Sequence, residues 1–273
     1  MPVISPRDNS TAPSMTPCGS TRRALASVRR SGKEAASRGI GKGPVMNGFR
    51  RYGVYAVPEG DLYAAGAAWL GWNSVSGARL PHPTVADLPQ AAEEMTATPR
   101  KYGFHGTIKP PFFLAGGTDF AALEAAMADF CATRPPVALP PLIVKRLGGF
   151  VAIVPERADP GLAALAAATV EALDPFRAPP SDGELARRRK AGLSDRQEAL
   201  LLQWGYPYVM EEFRFHLTLT GRLARSEAEA AQTALAAHFA PVLDAPVTLD
   251  SLCLMGEDDR GRFHLIHRHT LSG

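Results

Sequence analysis

The amino-acid sequence predicts an α+β protein built from two duplicated lobes, and three observations carry that expectation. A run of strand, helix and hairpin in the first half of the chain returns, in the same order, in the second. Each run holds a His-x-Thr triplet framed by apolar residues: Phe104-His105-Gly106-Thr107-Ile108 and Phe215-His216-Leu217-Thr218-Leu219. The same 43 residues separate His105 from Gly148 and His216 from Asp259, each in a turn between two strands. Spacing, residue type and element order agree together, which is how an internal duplication reads. The lobes are expected at about 48–157 and 158–270.

Taken in order, residues 52–57 alternate as a short strand, and a helix over 61–70 follows, opening on Asp61. After a Pro-rich loop comes a strand at 104–109, then a helix over about 119–132. Strands at 142–147 and 150–155 flank Gly148-Gly149, a hairpin signal. The second lobe opens with an Ala-rich helix at 160–173 and two further helical segments at 182–190 and 195–203. A strand at 212–221, a helix at 226–239 and a hairpin of 247–255 with 262–269 then repeat the earlier order. Residues 1–45 are rich in Ser, Gly, Pro, Thr and Arg and contain no aromatic residue. They read as a disordered basic tail, or as an upstream extension of a chain whose start is Met46.

Composition excludes several classes. Hydrophobic residues make up 45% of the 273 and charged residues 21%, ordinary for a globular protein. No stretch approaches the roughly 18 apolar residues of a membrane span. Cys18, Cys131 and Cys253 have no CxxC spacing, which fits a reducing, cytoplasmic setting and neither a disulfide framework nor a zinc knuckle. The net charge of +3 is unevenly spread. Residues 1–45 hold eight basic and two acidic side chains, so the remainder is net acidic. The folded part is no basic platform for nucleic acid, and any anion site in it is built locally.

The two His-x-Thr strands carry the chemistry. Alternation puts His105 and Thr107 on one face and Phe104 and Ile108 on the other; His216, Thr218 and Thr220 likewise oppose Phe215, Leu217 and Leu219. Cleaving a phosphodiester needs a base for the nucleophile and an acid for the leaving oxygen, and two imidazoles supply both near neutral pH. A threonine hydroxyl two residues on holds non-bridging phosphoryl oxygens without a cation that would depress the histidine pKa. Two lobes facing each other set one such pair on each side of a phosphate, with no metal in the scheme.

The paired motifs resemble those of the two-histidine (2H) phosphoesterase superfamily, which includes RNA 2′,3′-cyclic phosphodiesterases. The closer likeness is to its branch of phosphonate-metabolism proteins. It is carried by the run from Pro99-Arg100-Lys101-Tyr102-Gly103-Phe104-His105 to Lys109-Pro110-Pro111-Phe112, by Phe176-Arg177-Ala178-Pro179 and by Glu184-Leu185-Ala186-Arg187-Arg188-Arg189. Trp204-Gly205-Tyr206-Pro207-Tyr208-Val209 and Phe213-Arg214-Phe215-His216-Leu217-Thr218-Leu219-Thr220 complete it. The resemblance spans about 48–270. It implies a bilobal pair of antiparallel sheets with helices outside and the site in the groove. It also implies a cofactor-free hydrolysis of a small cyclic or linear phosphodiester in phosphonate catabolism. Cleavage of RNA or nucleoside 2′,3′-cyclic phosphates and a non-catalytic phosphate- or nucleotide-binding module are the alternatives.

Further candidates surround the motifs. If alternation continues, Lys109 shares the face of His105, and Arg214 that of His216; Arg100 and Tyr102 lie just ahead of the first motif. All four are taken as substrate-binding. The run Arg187-Arg188-Arg189-Lys190 either reaches over the cleft or serves its helix dipole. Tyr206 and Tyr208 either stack a ring of the substrate or pack a loop. His267 and His269 share a face while His264 points away, an arrangement that does not converge on a metal.

Overall fold

The fold is that of a computed structural model, which describes residues 48–273; the expectations for 1–45 and for a start at Met46 fall outside them. Strand β1 (Arg51–Ala56) leads into helix α1 (Gly60–Leu70) and a two-strand ribbon, β2 (Trp72–Asn73) with β3 (Ala78–Arg79). The short helix α2 (Ala92–Met95) precedes β4 (Gly106–Phe112), which follows the first histidine. Then come α3 (Phe120–Ala132), β5 (Val137–Ala138), β6 (Leu142–Leu147) and β7 (Phe150–Pro155). Helices α4 (Pro160–Ala172), α5 (Asp182–Arg189) and α6 (Asp195–Trp204) lead to β8 (Leu217–Thr218), just after the second histidine. Helix α7 (Arg225–Leu243), β9 (Thr248–Leu249), β10 (Ser251–Glu257) and β11 (Phe263–Thr270) close the chain.

Local sequence accounts for these elements. Asp119 and Asp159 cap α3 and α4 by accepting from Ala122 N and Leu162 N, each at 2.8 Å. Ser194 and Gln197 form a reciprocal capping box on α6. No helix among the described residues is long and apolar enough to cross a membrane.

Seven strands form one antiparallel sheet in the order β11-β10-β1-β4-β8-β7-β6, so the two motif strands are neighbours at its centre. The α+β class stands, but the chain is divided between the halves differently from the expected 48–157 and 158–270. The β6–β7 hairpin lies beside β8, in the half of the second motif, and β10–β11 lies beside β1, in the half of the first. The repeat turns over at Gly148-Gly149: strand, helix, motif strand, helix, short strand and strand run from β1 to β6 and again from β7 to β10. His105 and His216 are as far apart in sequence as Val137 and Thr248, which open the paired strands β5 and β9. A tight Gly-Gly turn keeps β6 against β7. The last strand of the first repeat is thereby carried into the half of the second, and β10 makes the reciprocal exchange.

Helices α1, α3, α4 and α7 cover one face of the sheet, burying Val54, Phe104, Ile108, Ile153, Phe215, Leu217 and Leu254 with Trp69, Met127, Leu165 and Phe239. The histidines are on the other face. There Tyr55, Val57, Cys253, Met255 and Phe263 form a smaller cluster, joined by Tyr102. β10 is buried along its whole length. Trp69 of α1, fully buried, donates its indole N–H to Leu219 O at 2.8 Å and so ties the first repeat to the second motif.

Glycines set the closest approaches. A Cβ on Gly66 would stand 2.2 Å from the Phe104 ring, and one on Gly106 would stand 2.3 Å from the Phe215 ring. Both apolar partners of the motif histidines therefore lie over a glycine. Overpacking at such a site costs about 1–3 kcal/mol. Gly106→Ala is expected to lower Tm by roughly 3–10 °C. Gly116→Ala, where a Cβ meets nothing within 4 Å, should change it little. Equal melting of both variants would mean that the Phe215 ring yields freely.

Candidate active site

β4 and β8 are joined through one residue pair, Gly106 with Leu217. Carried one residue either way, this antiparallel register sets His105 across from Thr218 and Thr107 across from His216. Each motif thus presents its histidine to the other motif's threonine. A cavity of about 190 Å³ is lined by both His105 and Thr218, together with Thr98, Pro99, Tyr102, Gly103 and Thr220. A cavity of about 310 Å³ on the helix face, bounded by Ala56, Leu142, Phe215 and Leu217, is larger but holds no histidine.

Both imidazoles are held in the same way. His105 Nδ1 lies 2.9 Å from Gly103 O, and His216 Nδ1 lies 2.7 Å from Arg214 O. A carbonyl only accepts, so Nδ1 carries the hydrogen in each ring, and the neutral tautomer leaves Nε2 as a base. His105 Nε2 is 3.0 Å from Thr107 Oγ1, whose hydroxyl donates to it. Gly103 supplies its carbonyl from a left-handed turn (φ +75°), where a Cβ would also strike Ser74 at 2.8 Å.

The two histidines differ in what lies beneath them. Tyr55 of β1 stacks on His105 with ring centroids 3.7 Å apart and planes 17° apart. Beside His216 the aromatic neighbour is Phe150, tilted at 5.7 Å. Tyr55 pairs with Thr107 across the ladder, and the matching residue opposite Thr218 is Ala152. Burial pushes the His105 pKa down to about 4, the Gly103 carbonyl opposing and the charge of His216 assisting. Burial likewise holds Tyr55 well above the usual phenol value.

Of the residues expected to bind substrate, Tyr102 is in the cleft and three side chains are committed elsewhere. Lys109 is 2% exposed, donates to Val170 O at 2.9 Å and pairs with Asp174 at 3.5 Å. The reason is a bulge: Tyr55 pairs with Thr107 but Val54 with Lys109, which passes over Ile108 and turns Lys109 to the helix face. Arg100 staples its own loop, donating to Leu70 O at 2.9 Å, Glu93 O at 2.6 Å and Thr96 Oγ1 at 2.7 Å. The Arg214 guanidinium donates to Glu211 O and Phe213 O, and only its backbone carbonyl serves His216. Thr220 is spent on Val151 N and Gly221 O. His264 bonds Asp258 and His267 bonds Glu124, each at 2.9 Å. Among the described residues no three His, Cys, Asp or Glu side chains converge as metal ligands would.

The family described as "Protein of unknown function (DUF1045)" matches residues 107–264, more than half of the chain. The chain belongs to this family. Two curated relatives, both named "Ribose 1,5-bisphosphate phosphokinase PhnN", are similar to it. The protein from Janthinobacterium sp. (strain Marseille) is 36% identical over 218 residues, 77% of this chain and 48% of that relative. The protein from Laribacter hongkongensis (strain HLHK9) is 33% identical over 213 residues, 77% of this chain and 49% of that relative. The chain spans about half the length of these relatives. Among solved structures it is similar to a phosphoesterase at 17% identity and TM-score 0.38, over 82% of this chain and 99% of that one. It is also similar to E. coli LigT complexed with phosphate, at 13% identity and TM-score 0.39, over 83% and 99%.

Lys109→Met tests the reassignment of that side chain. Burial outweighs Asp174 and lowers the Lys109 pKa from 10.5 to about 8, so the charged amine is a burden to the fold. Asp174 keeps Arg177 as a partner at 2.8 Å. The variant should melt within a few degrees of the wild type or above it. Between about pH 8 and 10.5 the unfolded chain binds the lysine proton more tightly, so wild-type stability should rise relative to the variant across that window. A loss of stability in the variant that is independent of pH would return Lys109 to an indispensable role.

Proposed function

We propose that the protein is a metal-independent phosphodiesterase acting on a small, cyclic or linear ester by paired histidine catalysis. The observation that carries the reading is the matched pair of carbonyl-locked imidazoles, one ahead of each central strand and each opposite the other's threonine. Binding alone has no use for two oriented bases, whereas acid–base catalysis requires both. His105, stacked on Tyr55 and held neutral by burial, is the general base. Its Nε2 takes a proton from water, the water oxygen bonds to phosphorus, and the phosphorus–alkoxide bond opposite breaks. His216, entering the step protonated on both ring nitrogens, donates its Nε2 proton to the departing oxygen, leaving a phosphomonoester and a neutral ring still held through Nδ1. Thr218 holds a non-bridging oxygen with its hydroxyl, and Thr107 does the same once the attacking water has replaced it at His105 Nε2.

The acidic balance of the chain after residue 45 suits a small ester better than a polynucleotide. The relatives named for a ribose 1,5-bisphosphate phosphokinase support a phosphorylated ribose as the substrate, with phosphonate breakdown as its setting. That kinase name belongs to proteins about twice as long as the matched segment.

The test is hydrolysis in EDTA of a ribose 1,2-cyclic phosphate, nucleoside 2′,3′-cyclic phosphates and a 2′,3′-cyclic-ended oligoribonucleotide. Turnover of a small ester is expected, reduced about a hundred- to ten-thousand-fold in His105→Ala and in His216→Ala, and less in Thr218→Ala. Survival of full activity without either histidine would sink the mechanism.

The pH profile tests the assignment of the base separately. A base is active when unprotonated, and the His105 pKa is lowered from 6.5 to about 4. The acid limb of kcat/KM for wild type should therefore fall near pH 4, and Tyr55→Ala should move it upward. A wild-type limb near 6.5 that Tyr55→Ala does not shift would remove His105 from that role.

A further inference from the structure

The cavity beside His105 takes its lining from both repeats. Thr98, Pro99, Tyr102, Gly103 and His105 come from the first, and Thr218 and Thr220 from the second. The two sides are tied together at Gly221, three residues past Thr218. Gly221 N donates to Met95 O at 2.6 Å, and a Cβ on Gly221 would stand 3.6 Å from Thr98 Oγ1. Thr98 is thereby held against the segment that leaves the second motif. Tyr102 is fixed by stacking on Phe263, with ring centroids 5.3 Å apart, and its ring lies 6.3 Å from that of His105.

Four hydroxyls line this cavity, and they are not equally free. That of Thr220 donates to Gly221 O and accepts from Val151 N. Those of Thr98, Tyr102 and Thr218 have no hydrogen-bond partner among the described residues. Thr98 is exposed and the other two side chains are half-buried, so all three are open to a ligand. Among the described residues no Lys, Arg, Asp or Glu side chain lines the cavity. Arg100 and Lys101 lie between Pro99 and Tyr102 in sequence, yet Arg100 is committed to Leu70 O, Glu93 O and Thr96 Oγ1. Lys101 is exposed and forms no part of the wall.

This lining suits a neutral partner. An ionised phosphate only accepts and is best met by cations, whereas a hydroxyl both donates and accepts, as the hydroxyls of the wall do. With Thr218 given to a phosphoryl oxygen, Thr98 and Tyr102 remain for the group that the phosphate carries.

We propose that Thr98 and Tyr102 bind the alcohol portion of the ester through its own hydroxyls, and that Thr98 is a specificity-determining residue. The substrate class is then the phosphodiester of a sugar rather than of a simple alkyl alcohol. This deepens the phosphodiesterase reading and rests on it for the phosphate beside His105, while the location rests on the cavity and its free hydroxyls.

The test pairs ribose 1,2-cyclic phosphate with ethylene phosphate, a cyclic diester that has no hydroxyl. Wild type should prefer the ribose ester in kcat/KM, and Thr98→Val should reduce that preference about 3- to 10-fold, the loss of one neutral hydrogen bond. Tyr102→Phe, which keeps the ring and its stack, should reduce it by a similar factor. Thr98→Ser should restore the preference, which a role in shape alone would not give. Turnover of both esters at a ratio that neither Thr98→Val nor Tyr102→Phe changes overturns the sugar site and leaves the phosphodiesterase reading in place. A loss in Thr98→Ser equal to that in Thr98→Val overturns it as well. Binding is measured apart from turnover, by calorimetric titration of the full-length His216→Gln chain with each ester, with and without Thr98→Val. If neither ester is turned over, the phosphodiesterase reading fails and this titration decides. Tighter binding of the ribose ester that Thr98→Val removes keeps the sugar site, and equal binding of the two esters overturns it.

Discussion

The site depends on the junction of β4 and β8. These strands meet through a single residue pair, Gly106 with Leu217, at the middle of a seven-stranded sheet. An antiparallel register through that pair decides which side chain looks at which, and a slip of one strand by one residue would send its histidine to the helix face. The register is fixed from behind. Phe215 lies on Gly106, Phe104 lies on Gly66, and the Trp69 indole bonds Leu219 O on the far strand. The apolar side of the two motifs therefore does the aligning, and the polar side is free for chemistry.

A second constraint is the asymmetry laid on a symmetric frame. Both histidines lock Nδ1 on the carbonyl two residues back, so tautomer and ring plane are common to the two repeats. Tyr55 on one side and Ala152 on the other break the equivalence. A ring stacked at 3.7 Å removes water from one face of His105 and makes its protonated form costly, while His216 has only a tilted Phe150 at 5.7 Å. Duplication thus gives two copies of one device, and a single neighbouring residue differentiates them. The Tyr55 hydroxyl, buried and without a partner among the described residues, is the stability cost of that arrangement, and such costs concentrate where a protein works.

Much of this was legible in the chain. Period-two alternation around His105 and His216 gave the right face for both histidines and both threonines, because local sterics decide which way a strand residue points. The recurrence of elements gave the duplication. What failed was whatever depends on partners distant in sequence. Lys109 reads as a neighbour of His105 only until a bulge at Ile108 turns it over, and a bulge is decided by the facing strand. Arg100 resembles a phosphate ligand by position, yet three acceptors at the ends of α1 and α2 were waiting for it. The lobe boundary was misplaced because a hairpin looks complete in sequence, whereas here its two strands belong to successive repeats. Tyr55 carried one usable signal, a tyrosine on the face of Arg51 in a strand otherwise built of core residues. Only the pairing of β1 with β4 says that it lies under the histidine.

The exchange of strands bears on why the two halves cannot work apart. β1 and β4 need β10, which is supplied after the second motif, and β8 needs β7 and β6, supplied before it. Neither repeat owns a complete half of the sheet, so neither can align its own histidine without the other. β5 and β9, one from each repeat, pair with each other as well. Cooperativity between the repeats is then a consequence of topology rather than of a tight interface. A phosphate held by residues of both motifs would sit where the two repeats already depend on one another. Ligand binding and folding would draw on the same contacts, the Gly106–Leu217 pair above all.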